Sequence, residues 1–268
     1  MKKKIWIVAV FLLIAMYAGF IFLILQKNSG EKPVISFDED NLEVSVKDGE
    51  EVLLKGVHAF DQEDGNIDQE IVVDSISKFD EENNRIVTYA VFDSEANVTK
   101  AQRKIHYTDY TSIKFYLNDS FSSSTMNPAT ILSMIKAKSC VDGDISDNVV
   151  AEFRSSQDTN VSVIEASVED STGSKETLVL NYTYDSNNYT TDIKLDSYLV
   201  YVKKGQKFDA EKNLDSIETN SVSKSEAKSY LNIDDSQVDY DHSGVYEILY
   251  TFNYFGDYGF SKCIVVVE

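Results

Sequence analysis

From residue 33 to the end of the chain, apolar and polar residues alternate in short runs broken by Gly, Asp and Asn. Leu42-Glu43-Val44-Ser45-Val46 alternates, a second run passes through His58 and Phe60, and Ile86 to Phe92 and Lys100 to Tyr107 follow. A period of two sends successive side chains to opposite faces of a sheet, and β-branched and aromatic residues suit that half-buried surface. Turn residues recur about every ten positions, so the pattern predicts antiparallel β-sandwiches. The same plan returns with Ser162 to Val168 and Glu176 to Tyr184, and the chain closes with a long hairpin, Val245 to Tyr254 and Phe260 to Val267. Helical spacing is local: Ile131, Leu132, Met134 and Ile135 predict a short helix within 129–137, and the Ser/Lys/Glu-rich stretch 213–229 is expected to be partly helical.

Two landmarks recur in register. Asp64-Gly65-Asn66-Ile67 returns as Asp142-Gly143-Asp144-Ile145, and Asp93-Ser94 returns as Asp170-Ser171, displaced by nearly the same interval. Such a period marks tandem units. We place the units at residues 33–108, 110–185 and 191–268, the last divergent, with short linkers at Asp109-Tyr110 and Asp185 to Tyr189.

Ahead of them, residues 5–25 carry no charge. As a helix this run would span roughly 31 Å, about the hydrocarbon thickness of a bilayer. It is longer than the apolar stretch of a cleaved signal, and no Ala-x-Ala site follows it. Lys2, Lys3 and Lys4 precede it, so the positive-inside tendency leaves a cytoplasmic stub at residues 1–4 and puts everything after the anchor outside the cell. The expected fold class is therefore all-β: three tandem β-sandwich domains preceded by one transmembrane α-helix. A stub of that size holds no output domain, so any signal would have to be reported by another protein.

The first unit reads Ala59-Phe60-Asp61-Gln62-Glu63-Asp64-Gly65-Asn66-Ile67-Asp68, then Tyr89-Ala90-Val91-Phe92-Asp93-Ser94-Glu95-Ala96-Asn97, then Arg103. This order resembles the bacterial immunoglobulin-like domains found in tandem on exported proteins, a group that includes the Ig-like domain of certain pesticidal crystal proteins and relatives of the hyalin-repeat type. The second unit keeps Asp142 to Ile145 and Val168 to Gly173, with Lys138-Ser139-Cys140-Val141 where acidic residues would precede. The third keeps Gly205, Phe208-Asp209 and Gly244 to Tyr250. The resemblance implies fold and surface display, and no catalytic activity. Within the third unit, Asp241 to Tyr246 also has the form of a tyrosine corner.

Charge narrows the partners. The chain has 45 acidic against 25 basic residues, and four of the lysines (Lys2, Lys3, Lys4, Lys27) belong to the tether. Such an exterior repels nucleic acid and anionic headgroups and attracts divalent cations and basic partners. Cys140 and Cys263 fall in different units, which argues against a disulfide and for free, buried thiols. So few cysteines outside a cell fit a bacterial surface.

Candidate chemistry is sparse. Asp61, Glu63, Asp64 and Asp93 should project from one end of the first sandwich, where four carboxylates could hold Ca²⁺, although Asp-Gly and Asp-Ser are also ordinary turn formers. Of the aromatics Phe252, Tyr254, Phe255, Tyr258 and Phe260 at the final hairpin, Tyr254, Phe255 and Tyr258 are the expected partner contacts, for a sugar ring or a protein. No Gly-x-Ser-x-Gly, His-Glu-x-x-His or phosphate-binding loop occurs, so no enzyme is expected. The sequence points to a membrane-anchored surface protein acting as an adhesion, spacer or cell-wall-contact module. The runner-up is an accessory single-pass subunit of an export or polysaccharide-assembly complex.

Overall fold

Alternation becomes sheet. In the computed structural model, which describes residues 14, 16–21, 30–124, 127–155, 160–185 and 187–268, the strand Val57–Asp61 (β3) buries Val57, Ala59 and Asp61 and leaves His58 and Phe60 in solvent. The chain divides into two compact units, residues 1–110 and 111–268.

In the first unit, β3 lies between β1 (Val34–Phe37) and β4 (Gly65–Asn66). A second sheet has the order β2 (Asn41–Val44), β7 (Val98–Tyr107), β6 (Asn84–Phe92), β5 (Val72–Ile76). Val57 and Ala59 from one sheet meet Val87, Tyr89, Val91 and Ile105 from the other in a closed core. The Tyr89 hydroxyl reaches through it and donates to the Leu53 carbonyl at 2.6 Å. Arg103 lies buried there, with its guanidinium on the Lys55 carbonyl at 2.7 Å and over the Phe37 ring.

The second unit repeats the plan twice. β8 (Lys114–Leu117), β10 (Ile135–Ser139) and β11 (Gly143–Asp144) face β9 (Ser122–Ser123), β12 (Val150–Ser155), β13 (Val161–Glu169) and β14 (Lys175–Tyr184). Then β15 (Asp192–Leu195) and β17 (Leu214–Glu218) face β16 (Leu199–Val202), β18 (Leu231–Asp234), β19 (Gly244–Tyr254) and β20 (Asp257–Val267). The repeat is kept in detail: β6 and β13 both have nine residues, and β7 and β14 both have ten.

The sheets are not wholly antiparallel, as the alternation had suggested. β2 runs parallel to β7, β9 to β14 and β16 to β20. In each sandwich the opening strand pairs in one sheet and the chain then crosses to the other, where it lies beside the last strand in the same direction. The expected helix over 129–137 is shorter, Pro128–Met134, because Ile135 turns extended and begins β10. The Asn127 side chain accepts from the Ala129 amide and Pro128 opens the helix, both common start signals. The stretch 213–229 begins near β17 and becomes helical at Lys224–Ala227, followed by a 3-10 turn at Lys228–Tyr230.

The second and third sandwiches share buried surface. Leu199, Ile264 and Val266 pack into the core built by Phe115, Ile135, Ile164 and Leu180. Phe115 donates its amide to the Tyr201 hydroxyl at 2.9 Å. Lys262, fully buried, donates to the Asn181 carbonyl at 2.7 Å, the Thr183 hydroxyl at 3.0 Å and the Glu247 carboxylate at 3.1 Å. Its three ammonium hydrogens are all placed. Burial lowers its pKa, and Glu247 opposes that shift.

Among the described residues no helix is long and apolar enough to cross a membrane. Of the run at 5–25, residues 14 and 16–21 are described, helical and exposed. The rest of the expected anchor lies outside the described residues, and the structure lends the anchor no support.

Removing one partner of a buried ion pair leaves the other unpaired, so Lys262→Ala should destabilise residues 111–268 by about 3 kcal/mol. Lys262→Met, which keeps the packing volume, should cost less. Urea unfolding of both variants measures the difference.

Candidate functional site

The acidic loops gather at one end of the first sandwich and serve mainly backbone amides. Asp61 is buried at the end of β3, and its Oδ1 accepts from the amides of Glu63 at 2.8 Å and Asp64 at 2.9 Å. Asp64 reaches across to the loop after β6 and accepts from the amide of Ser94 at 2.7 Å and its hydroxyl at 2.8 Å. Asp93 is buried below and accepts from the amides of Glu95 and Asn97 and from the Asn97 side chain. Burial opposes its ionisation, but the bonds from Asn97 and Glu95 outweigh that and leave its pKa lowered.

The second sandwich repeats the clasp with different acceptors. Asp142 takes the amide of Ser171 at 2.7 Å and its hydroxyl at 2.6 Å, as Asp64 does with Ser94. Where Asp61 stands in the first sandwich, the second has Ser139, whose hydroxyl oxygen accepts from the amides of Val141 and Asp142. Asp68, which takes the Ala59 amide at 2.6 Å, is matched by Ser146, whose hydroxyl takes the Ala137 amide at 3.2 Å. A hydroxyl replaces a carboxylate at two positions with the amide partner retained. That exchange suits an amide acceptor and deprives a cation of charge.

These bonds bear on the calcium expectation. Both oxygens of Asp64 and of Asp93, and Oδ1 of Asp61, accept from amides or a hydroxyl, and Glu63 contributes its own amide to Asp61. Among the described residues no group of three or more His, Cys, Asp or Glu side chains is arranged to hold a metal ion.

Sequence reasoning overlooked Asp68. The Ala59 amide, then His58 and Asn66, hold its pKa down to about 2. His58 Nδ1 lies 3.0 Å from Asp68, and this contact raises the His58 pKa. His106 bonds Asn84 and His242 bonds Asp239, so each of these two rings meets a neighbour within its own sandwich. Both cysteines are free. Cys263 is buried, which pushes its thiol up to about 12, whereas Cys140 is only half-buried, against the expectation of two buried thiols. The tyrosine corner is present: the Tyr246 hydroxyl donates to the His242 carbonyl at 3.1 Å.

At the final hairpin, alternation divides the aromatics. Phe252 is buried on the inner face, with Tyr254 packed against the same core. Tyr258 and Phe260 pair with Asn253 and Thr251 and so share the opposite face. Tyr254 pairs with Asp257 across a two-residue turn, in which Phe255 has φ +43° and Gly256 φ +99°. Positive φ at both central residues defines a type I′ turn, which favours Asn and Gly. Phe255 is 94% exposed there, and its ring meets Tyr254 edge-on at 4.8 Å. The segment before β15 lies along this hairpin: the amides of Thr190 and Thr191 donate to the Tyr258 carbonyl, and Tyr189 stacks on Phe260 at 6.0 Å. A side chain at Gly259 would meet the Thr191 carbonyl at 2.8 Å, so this approach requires glycine.

No protein-family profile matches the chain, and no curated protein matches it. Among solved structures it is similar to the CBM51-2 and INT domains of ZmpB from Clostridium perfringens in complex with GlcNAc, at 24% identity over 60% of this chain and 31% of that one, with a TM-score of 0.24. A structure of the M60 catalytic domain of the same protein with its two CBM51 domains gives 12% identity, coverage of 88% and 30%, and a TM-score of 0.22. The extracellular domain of protocadherin gamma B4 gives 13% identity, coverage of 90% and 50%, and a TM-score of 0.20. The chain thus spans about a third of the length of the ZmpB structures. Superpositions this loose carry no argument about ligand or partner.

Asp64→Ala should lower the melting temperature of the protein, and Asp64→Asn should do so less, because an amide oxygen still accepts from Ser94. Millimolar calcium should leave the melting temperature of the wild type unchanged in the same calorimetric scan. A carboxylate whose pKa is depressed on folding stabilises above its unfolded value and loses that contribution as pH falls through the folded one. Asp68 therefore contributes above its ordinary 3.8, and the contribution fades between there and about 2. In acid titrations followed by circular dichroism, Asp68→Asn should flatten the loss of stability in that window.

Proposed function

We propose that the chain is a single-pass, membrane-anchored bacterial surface protein with its amino terminus inside, whose immunoglobulin-like domains at 33–108, 110–185 and 191–268 form a non-catalytic adhesion, spacer or cell-wall-contact module. The charge-free run at 5–25 behind Lys2, Lys3 and Lys4 supports the anchor and the orientation. The observation that carries the contact role is Phe255. A bulky residue in the left-handed region costs roughly 1–2 kcal/mol relative to glycine, and this one gains little burial in return. Strain retained at an exposed aromatic is a mark of use, and its position on the last hairpin supports a contact through the carboxy-terminal sandwich.

The clasps fit a display role as well. They stiffen loop ends without a disulfide, which a small domain outside the cell needs. The ligand on this reading is a surface protein or a glycan, and nucleic acid is repelled by a net charge of −20.

Phe255→Asn should relieve the turn and raise stability by about 0.5–1 kcal/mol while weakening attachment. Cross-linking on intact cells, followed by mass spectrometry, reads the second effect. Recovery of wall glycan or a foreign surface protein from the wild type, and less of it from Phe255→Asn, is the expected result. Recovery of neighbouring membrane proteins alone, through residues near 5–25, would replace this reading with an accessory subunit of an export or polysaccharide-assembly complex.

A further inference from the structure

Beside the strained tip, the outer face of the last hairpin carries a recess of about 440 Å³. Tyr189, Tyr258 and Phe260 supply its aromatic walls, and Asn187, Asn188 and Asn253 its polar ones. Two facts of the fold leave it open. The strip Tyr258, Phe260, Lys262, Ile264 and Val266 lies on one face of β20, and the second sandwich covers only the end holding Ile264 and Val266, with Lys262 bonded to β14. Toward the tip, Tyr189 stacks on Phe260 at an interplanar angle of 21°, and Thr190 and Thr191 bond the Tyr258 carbonyl. Tyr258 remains 50% exposed and Tyr189 37% exposed.

The chemistry of the lining selects its ligand. Although the chain carries a net charge of −20, no charged side chain lines this recess among the described residues. A phosphate or other anion would find no Lys or Arg, and a metal ion would find no carboxylate. A purely apolar ligand would strip water from the asparagine amides and leave them unpaired, which is costly. What remains is a neutral molecule with an apolar flat face and a rim of hydroxyls. The amides of Asn188 and Asn253 offer both donors and an acceptor to such a rim, Asn187 gives one of its donors to the Tyr189 hydroxyl, and an aromatic ring offers its face to the axial C–H groups. The volume falls within the roughly 300–1,000 Å³ of small-ligand pockets. We propose that the recess between Tyr189, Tyr258 and Asn253 binds one ring of a neutral oligosaccharide, stacked on tyrosine and held by the asparagine amides.

The inference rests on the contact role proposed above and names the ligand class for it. The test uses the full-length protein in a sugar-free detergent, with cellotetraose and chitotetraose as neutral probes and tetragalacturonate as the anionic one. Saturation-transfer NMR should show ring protons of at least one neutral probe in contact with aromatic side chains, with no transfer to tetragalacturonate. Tyr258→Ala should weaken the calorimetric affinity at least about tenfold, equivalent to about 1.4 kcal/mol, and Tyr258→Phe should retain most of it. If Tyr258→Ala lowers the melting temperature, Asn253→Ala, at an exposed position, provides the same comparison. The proposal is overturned if no neutral probe binds at millimolar concentration, if binding survives both alanine variants, or if tetragalacturonate binds equally well. Cross-linking on cells separates the two readings. A surface partner still recovered from the Tyr258→Ala variant, with no sugar bound in vitro, removes the sugar site and leaves the contact role standing, whereas loss of every surface partner from the wild type removes both.

Discussion

A sandwich of two small sheets without a disulfide must close its ends some other way, and in this protein a carboxylate does it. Asp64 leaves the loop between β3 and β4 of one sheet and takes two hydrogen bonds from Ser94 at the end of β6 in the other. The residues joined lie 30 positions apart in the first sandwich and 29 in the second, where Asp142 and Ser171 do the same. Each bond is modest, but bonds to a charged acceptor are among the stronger ones, and they constrain both sheets at once. Asp61 and Ser139 hold the start of the same loop, and Asp93 and Asp170 hold the other, through bonds to amides within their own loops.

The third sandwich has no such clasp, and its stability is organised differently. Where the others carry an open loop after the long strand, its hairpin closes in the tight Phe255-Gly256 turn. Asn213, buried, exchanges bonds with the backbone of Ser197 in both directions and pins one loop. Tyr250 sends its hydroxyl to the Ala210 carbonyl, as Tyr89 does to Leu53 in the first sandwich. The rest comes from the neighbour: Lys262, Ile264 and Val266 are buried against the second sandwich. The price of this arrangement is a buried ammonium whose every hydrogen must be matched.

The proposed contact role rests on what the packing leaves uncovered. The acidic loops that attract attention in the sequence are occupied by amides. The hairpin face that alternation half commits to the core ends, at its tip, in exposed aromatics and neutral amides. Charge keeps the rest of the surface soluble and repels like-charged partners, so a neutral recess in an acidic protein stands apart by chemistry as well as shape.

Alternation of side chains and the recurrence of Asp-Gly and Asp-Ser were enough to establish an all-β chain built on a repeating plan, because a period of two and a turn residue act locally and need no distant partner. The long hairpins and the tyrosine corner at Tyr246 were legible for the same reason. The parallel edges were not, since whether a strand pairs forward or backward depends on where the chain has crossed between sheets. Nor was the use of the carboxylates: an Asp that holds an amide and an Asp that waits for a cation read alike until the loop 30 residues away is seen to fold over it. Burial of Lys262, the strain at Phe255 and the recess beside Tyr258 likewise exist only in three dimensions, because each depends on which neighbour arrives to cover a face and where that cover stops.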